Sequence, residues 1–155
     1  VLARDAAALR LYPPPPPPDW HSPLSGPVRI AGVLITAREV AADPGFLPRF
    51  LASRARWEEA IDADALLSDA VLRTRRAGDR FLPLGAPGER KLQDFLTDLK
   101  LPRAERARTV VLEAHARWGE RAVVWVAGRR IDDRARVGPG TRRVLILSAE
   151  PAATS

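Results

Sequence analysis

Six consecutive prolines, Pro13 to Pro18, divide this chain before any hydrophobic pattern is considered. Proline lacks the backbone N–H and holds φ at about −65°, so the run can enter neither a helix interior nor a central strand. It is expected to form a stiff polyproline II rod rising roughly 3 Å per residue, a spacer or surface strap. The alternative, a ligand for SH3-type or WW-type domains, wants flanking recognition residues that are not evident here. Ahead of the run, Ala8-Leu9-Arg10-Leu11-Tyr12 alternates as a strand does.

Behind the prolines the chain reads as short strands. Val28 to Val40 is rich in β-branched residues, with a bend expected at Ala31-Gly32. Phe46 to Trp57 fits a short helix that Pro48 limits to a start near Leu47. Ala60-Ile61-Asp62-Ala63 reads as a strand, and Asp64 as the N-cap of a short turn through Leu66-Leu67. Val71 to Arg76 alternates, placing Val71, Arg73 and Arg75 on one face and Leu72, Thr74 and Arg76 on the other. Between Glu89 and Lys100, the side chains of Leu92, Phe95, Leu96 and Leu99 fall at i, i+3, i+4 and i+7, the stripe of an amphipathic helix that Pro102 ends. Strands are expected at Thr109–Glu113, Ala122–Ala127 and Arg142–Leu147. Val123-Val124-Trp125-Val126 does not alternate, so its strand should be covered on both faces. The fold class that follows is α+β: a small mixed or antiparallel sheet with one main amphipathic helix, preceded by a β-rich, proline-containing connector.

Charge divides the chain at nearly the same place. Residues 1–70 hold seven arginines against nine acids, a net −2, whereas residues 71–147 hold 18 cations against nine acids, a net +9. The expected organisation is therefore a connector over 1–69, a basic domain over 70–148 and a disordered tail over 149–155. There is no cysteine, which removes thiolate metal sites, a cysteine nucleophile and any disulfide framework. With only His21 and His115 present, a metal site built on several histidines is excluded. The 155 residues begin at Val1 and contain no Met, so the chain reads as a piece of a longer polypeptide. No apolar run approaches the roughly 20 residues of a membrane span and no signal peptide opens the sequence, so a cytoplasmic location without membrane contact is expected.

The second half carries a recognisable pattern. Arg73-Thr74-Arg75-Arg76-Ala77-Gly78-Asp79-Arg80-Phe81-Leu82-Pro83-Leu84-Gly85 is followed by Lys91-Leu92-Gln93-Asp94-Phe95-Leu96 and Lys100-Leu101-Pro102. Arg106, Val124-Trp125-Val126-Ala127-Gly128-Arg129-Arg130-Ile131-Asp132-Asp133 and Thr141 come next. In this order the residues resemble the C-terminal domain of bacterial tRNA(Ile)-lysidine synthetases, over roughly residues 60 to 148. The proline run and the longer Ala114–Arg121 segment depart from that pattern. The resemblance implies a parent ligase that adenylates C2 of the wobble cytidine of a minor tRNA(Ile) with ATP and Mg, after which lysine attacks. It also implies that ATP is held by an upstream Ser-Gly-Gly-x-Asp-Ser loop, a motif not found here, so this segment by itself is expected to be inactive and to hold no cofactor. The partners implied are tRNA(Ile), at its acceptor-stem end, and the catalytic and middle domains of the same parent chain.

Read from the residues alone, the case for RNA rests on Arg73, Arg75, Arg76 and Arg80 within eight positions, and on Lys91, Lys100, Arg103, Arg106 and Arg108 along or just after the helix. Phosphate contacts dominate such binding through counterion release. The competing reading is a protein-interaction or scaffolding domain whose basic surface is incidental. No catalytic or metal residues are assigned. Asp79 is expected to accept backbone hydrogen bonds in a turn where Gly78 takes positive φ and Phe81 packs inward. Adjacent Asp132 and Asp133 point to opposite faces, a poor acid–base pair and a better structural ion-pair cluster with Arg129, Arg130 and Arg134. Trp118, beside Arg117 and Arg121, is the aromatic considered for stacking on a nucleotide.

Overall fold

A computed structural model describes residues 2–5 and 8–152. Strands β1 (Leu2–Asp5) and β2 (Ala8–Leu11) pair antiparallel, and the prolines follow as an extended strap without regular backbone pairing. β3 (His21–Pro23) is short. β4 (Val28–Ile30) and β5 (Val33–Ala41) form a hairpin whose two loop residues, Ala31 and Gly32, both take positive φ, 52° and 82°. That is the two-residue turn whose twist matches the flanking strands. Gly32 is required for a second reason, since a Cβ there would meet Pro13 Cγ at 2.5 Å. The strap lies directly on the hairpin.

Next come α1 (Phe46–Ser53), β6 (Glu58–Asp62) and a 3-10 turn over Ala63–Ala65. Pro48 is tolerated in the first turn of α1, where its missing N–H has no intrahelical partner anyway. The cap of the 3-10 turn is Asp62, not Asp64: Asp62 Oδ1 accepts from Asp64 N at 2.9 Å. Asp64 is directed instead at Arg143, and its carboxyl is held below the usual range chiefly by that guanidinium.

The basic half contains β7 (Val71–Thr74), β8 (Arg80–Phe81), β9 (Arg90–Lys91), α2 (Leu92–Asp98), α3 (Arg103–Arg106), β10 (Val110–Ala116), β11 (Gly119–Val126), β12 (Arg130–Ile131), a 3-10 turn over Asp133–Ala135 and β13 (Arg143–Pro151). Two larger antiparallel sheets result, with strand orders β12-β11-β10-β7-β3 and β4-β5-β13-β6. Their inner faces share one core, Leu72, Leu112, Val124 and Trp125 from the first against Ile35, Ile61, Leu147 and Ala149 from the second. α2 covers the outer face of the five-stranded sheet through Leu92, Phe95 and Leu96 on Val111, Val123 and Val126. Phe81 meets Phe95 edge to face at 5.0 Å. α1 covers the four-stranded sheet through Phe50 on Ala60, Val144 and Ile146. The fold is α+β in four layers, and β11 is buried on both faces over Val123–Val126 as its lack of alternation predicts.

Three expectations change. The division at residue 70 is not a boundary of the packing, because β13 lies between β5 and β6 and draws residues 33–62 into the core of the basic half. Residues 149–151, expected in a disordered tail, continue β13, with Ala149 buried. The stripe of α2 buries three residues and not four: Leu99 is 38% exposed, because the helix ends at Asp98 and Lys100 turns left-handed at φ 58°. The Ala114–Arg121 segment extends the β10–β11 hairpin around Arg117 and Trp118.

Candidate nucleic-acid interface

The basic residues separate into two sets when each is followed from its strand or turn to its partners. On β7, Leu72 enters the core between the sheets and Arg73 takes the opposite face, beneath the turn that leads to α2. Arg73 is 4% exposed. Its Nη1 and Nη2 grip both Asp79 oxygens at 3.1 and 2.9 Å, its Nε donates to Glu113 Oε1 at 3.0 Å, and Nη1 also reaches Thr74 O. Burial opposes its charge, but the Asp79 and Glu113 carboxylates outweigh that and hold its pKa above the ordinary arginine value. Arg73 is therefore removed from the RNA-facing set, because the face that strand alternation leaves open is closed here by Asp79 and Glu113.

Asp79 organises the turn around this guanidinium. Its Oδ2 accepts from Arg76 N at 2.6 Å and its carbonyl from Leu92 N at 2.8 Å, so the 75–80 turn is tied to the first residue of α2. Gly78 takes φ 89° and Phe81 is buried, both as expected. Fixed in this way, Arg75 is half-buried and Arg76 exposed, and neither has an acidic partner among the described residues. Lys91 is exposed opposite Arg80 in the β8–β9 pair. Lys100 and Arg103 are exposed on the connection from α2 to α3 and likewise lack acidic partners among the described residues. These five surround α2 and α3.

The remaining candidates are committed elsewhere. Arg80 pairs with Glu89 at 3.2 Å on the surface. Arg106 Nη1 donates to Leu101 O at 2.8 Å, tying α3 to the loop before it. Arg108 acts as a bolt: Nε donates to Pro13 O, Nη1 donates to Ala104 O, and the guanidinium lies over the Tyr12 ring at 4.9 Å. Its Nη2 is buried without a hydrogen-bond acceptor, and the aromatic face is the neighbour that meets its charge. Outside the expected set, exposed Arg121 and Arg142 in the basic half also lack acidic side-chain partners among the described residues; only tertiary structure distinguishes them from the paired arginines beside them.

Asp132 and Asp133 form no acid–base pair. Asp132 is fully buried and accepts from Leu82 N, Arg134 N and the Arg134 side chain. Asp133 accepts from Gly85 N and Arg136. Arg134, its pKa raised chiefly by the hydrogen bonds it donates to the Asp132 carboxylate, lies over Trp118 at 4.9 Å. The Trp118 face considered for stacking is thus already partnered by an arginine. His21 and His115 are exposed, and no group of three or more His, Asp or Glu residues is placed to hold a metal ion among the described residues. Nor is any helix among them long and apolar enough to cross a membrane.

Comparison with known proteins identifies the family and the fold. Residues 70–147 match the family model of the TilS substrate C-terminal domain. The tRNA(Ile)-lysidine synthase of Symbiobacterium thermophilum is 37% identical over 123 residues, covering 79% of this chain and 24% of that protein. That of Parabacteroides distasonis is 42% identical over 88 residues, 57% of this chain and 19% of its own length. The chain thus spans about a fifth to a quarter of these relatives. The crystal structure of a TilS C-terminal domain superposes with a TM-score of 0.61 over 79% of this chain and 87% of that one, at 24% identity, which establishes the shared fold. With its 70–147 region matched across β7, α2 and the β10–β13 strands, the chain belongs to the TilS C-terminal domain family.

Proposed function

We propose that this chain is the tRNA-holding part of a tRNA(Ile)-lysidine synthase, in which it binds a structured RNA through phosphates while residues upstream perform the ligation. The observation that carries the reading is the family match over residues 70–147. In the parent enzyme the upstream part uses ATP and Mg to activate C2 of the wobble cytidine, lysine attacks, and this segment keeps the tRNA, at its acceptor-stem end, in place. Arg75, Arg76, Lys91, Lys100 and Arg103 are its phosphate contacts. Supporting this, all five lack acidic partners among the described residues. Duplex RNA suits such a surface, since its deep, narrow major groove hides base edges and leaves phosphates and the minor groove to be recognised.

Titration of a transcribed tRNA(Ile) into the chain at low salt tests the reading. Saturable binding that is lost when the five cations are changed together to Ala is the expected result. No binding even at 50 mM salt would reject it in favour of a protein-interaction domain with an incidental basic surface.

A further inference from the structure

The proline run, which the family resemblance leaves unexplained, forms one wall of a cleft whose other wall is the Arg75–Arg76 turn. The cleft has a volume of about 460 Å³ and runs between Pro16–Asp19 and Thr74–Ala77, with Ala107 and Thr109 at its base. That volume falls within the roughly 300–1,000 Å³ of small-molecule sites. It suits a single nucleotide and not a helix.

Both walls are tied down by hydrogen bonds. The strap is held at its start by Arg108 on Pro13 O, in its middle by burial of Pro16, and at its end by Trp20 N on Pro17 O at 3.1 Å and Thr74 N on Trp20 O at 3.2 Å. The opposite turn is held by Asp79, as described above. The chemistry of the walls is unequal: one offers pyrrolidine rings without N–H donors, the other two guanidinium groups without acidic partners among the described residues. Asp19 is the one acid lining the cleft, so the charge between the walls is net positive.

Nucleic acid without base pairing is commonly bound by a cationic track for the backbone beside side chains on which bases lie irrespective of sequence, usually aromatic rings; here the saturated pyrrolidine rings offer that face through C–H contacts to the base. Arginine adds contact with the π face of the base. Double-stranded RNA presents no free base to enter a cleft of this size.

Resting on the proposed tRNA-holding role, we infer that the cleft between the proline strap and the Arg75–Arg76 turn takes an unpaired nucleotide of the RNA, with the phosphate on the arginines and the base against Pro17 and Pro18. The rest of the basic surface contacts the paired stem.

Fluorescence anisotropy with a labelled mixed-sequence octaribonucleotide, alone and annealed to its complement, tests the inference on the intact chain. The single strand is expected to bind at least about fivefold more tightly than the duplex. Arg75→Ala with Arg76→Ala abolishes that preference, and Pro17→Ala with Pro18→Ala weakens single-strand binding about threefold while leaving the duplex unchanged. Equal affinity of the unaltered chain for the two RNAs overturns the inference, as does a preference that survives the arginine substitutions. Parallel titration with tRNA(Ile) separates the two readings. Binding of tRNA without single-strand preference rejects the cleft and leaves the tRNA-holding role, whereas single-strand preference without tRNA binding does the reverse.

Discussion

Arg73 and Arg75 stand two residues apart, carry the same charge and belong to the same basic run, yet the fold uses them in opposite ways. Arg73 is 4% exposed and locked between Asp79 and Glu113. Arg75 and its neighbour Arg76 lie outside the turn that this ion pair holds, without acidic partners among the described residues. The inner arginine shapes the turn and the outer two are presented by it. Density of positive charge along a sequence therefore does not show which cations are left for an outside anion; the supply of acids around each cation, which depends on tertiary pairing, does.

The contrast can be broken first at Arg73. Arg73→Ala leaves two largely buried carboxylates uncompensated and is expected to cost about 3–5 kcal/mol of stability, because removing one partner of a buried pair strands the other. Urea unfolding monitored by tryptophan fluorescence measures it; a loss below about 1 kcal/mol would show that the pair does not organise the turn. Arg75→Ala with Arg76→Ala should do the opposite, weakening tRNA binding about tenfold while changing stability by no more than about 0.5 kcal/mol.

Lys100 sharpens the comparison, since it is both an exposed cation and a non-glycine residue at φ 58°. Lys100→Gly is expected to raise stability by about 1 kcal/mol by relieving left-handed strain, and to weaken tRNA binding by a few-fold in the same protein. Unfolding and binding measured together would show the two properties moving in opposite directions.

The smallest effect concerns Glu59, whose carboxyl is pushed up by burial, against the opposing pull of Arg54 and Arg130. A raised acid penalises the folded state only where it must ionise. Below its ordinary value of 4.5 the group is neutral both folded and unfolded; the penalty grows as pH rises from there and is fully present once pH passes the raised folded value. Glu59→Gln should therefore raise the melting temperature at pH 7 to 8, with the gain vanishing below about pH 4.5. A gain that persists in acid would mean that the effect is packing and not charge.

Local features were legible in the sequence. The Ala31-Gly32 bend, the Leu92–Phe95–Leu96 stripe, the doubly covered Val123–Val126 strand and the Gly78-Asp79 turn each depend on residues within a few positions of one another. What escaped depends on distant pairing. β13 joins strands from residues 33–62 to the basic half, and no local periodicity announces that. Glu113, forty residues from Arg73, reaches it because β10 lies beside β7. Arg108 reads as a surface cation in the sequence because its acceptors, the carbonyls of Pro13 and Ala104, carry no charge that a sequence displays. The proline run could be read as a strap, but its role as a wall of the Arg75–Arg76 cleft appears only once β3 and β7 are paired.

The salt dependence of tRNA(Ile) binding tests the central claim most directly. With about four of the outer cations on phosphates, log K against log salt should fall with a slope of about −3 to −4, and the slope should shrink by about 1.5 to 2 when Arg75 and Arg76 become Ala. A slope that is unchanged by those substitutions would contradict the account, because the two arginines that the turn presents would then make no phosphate contact.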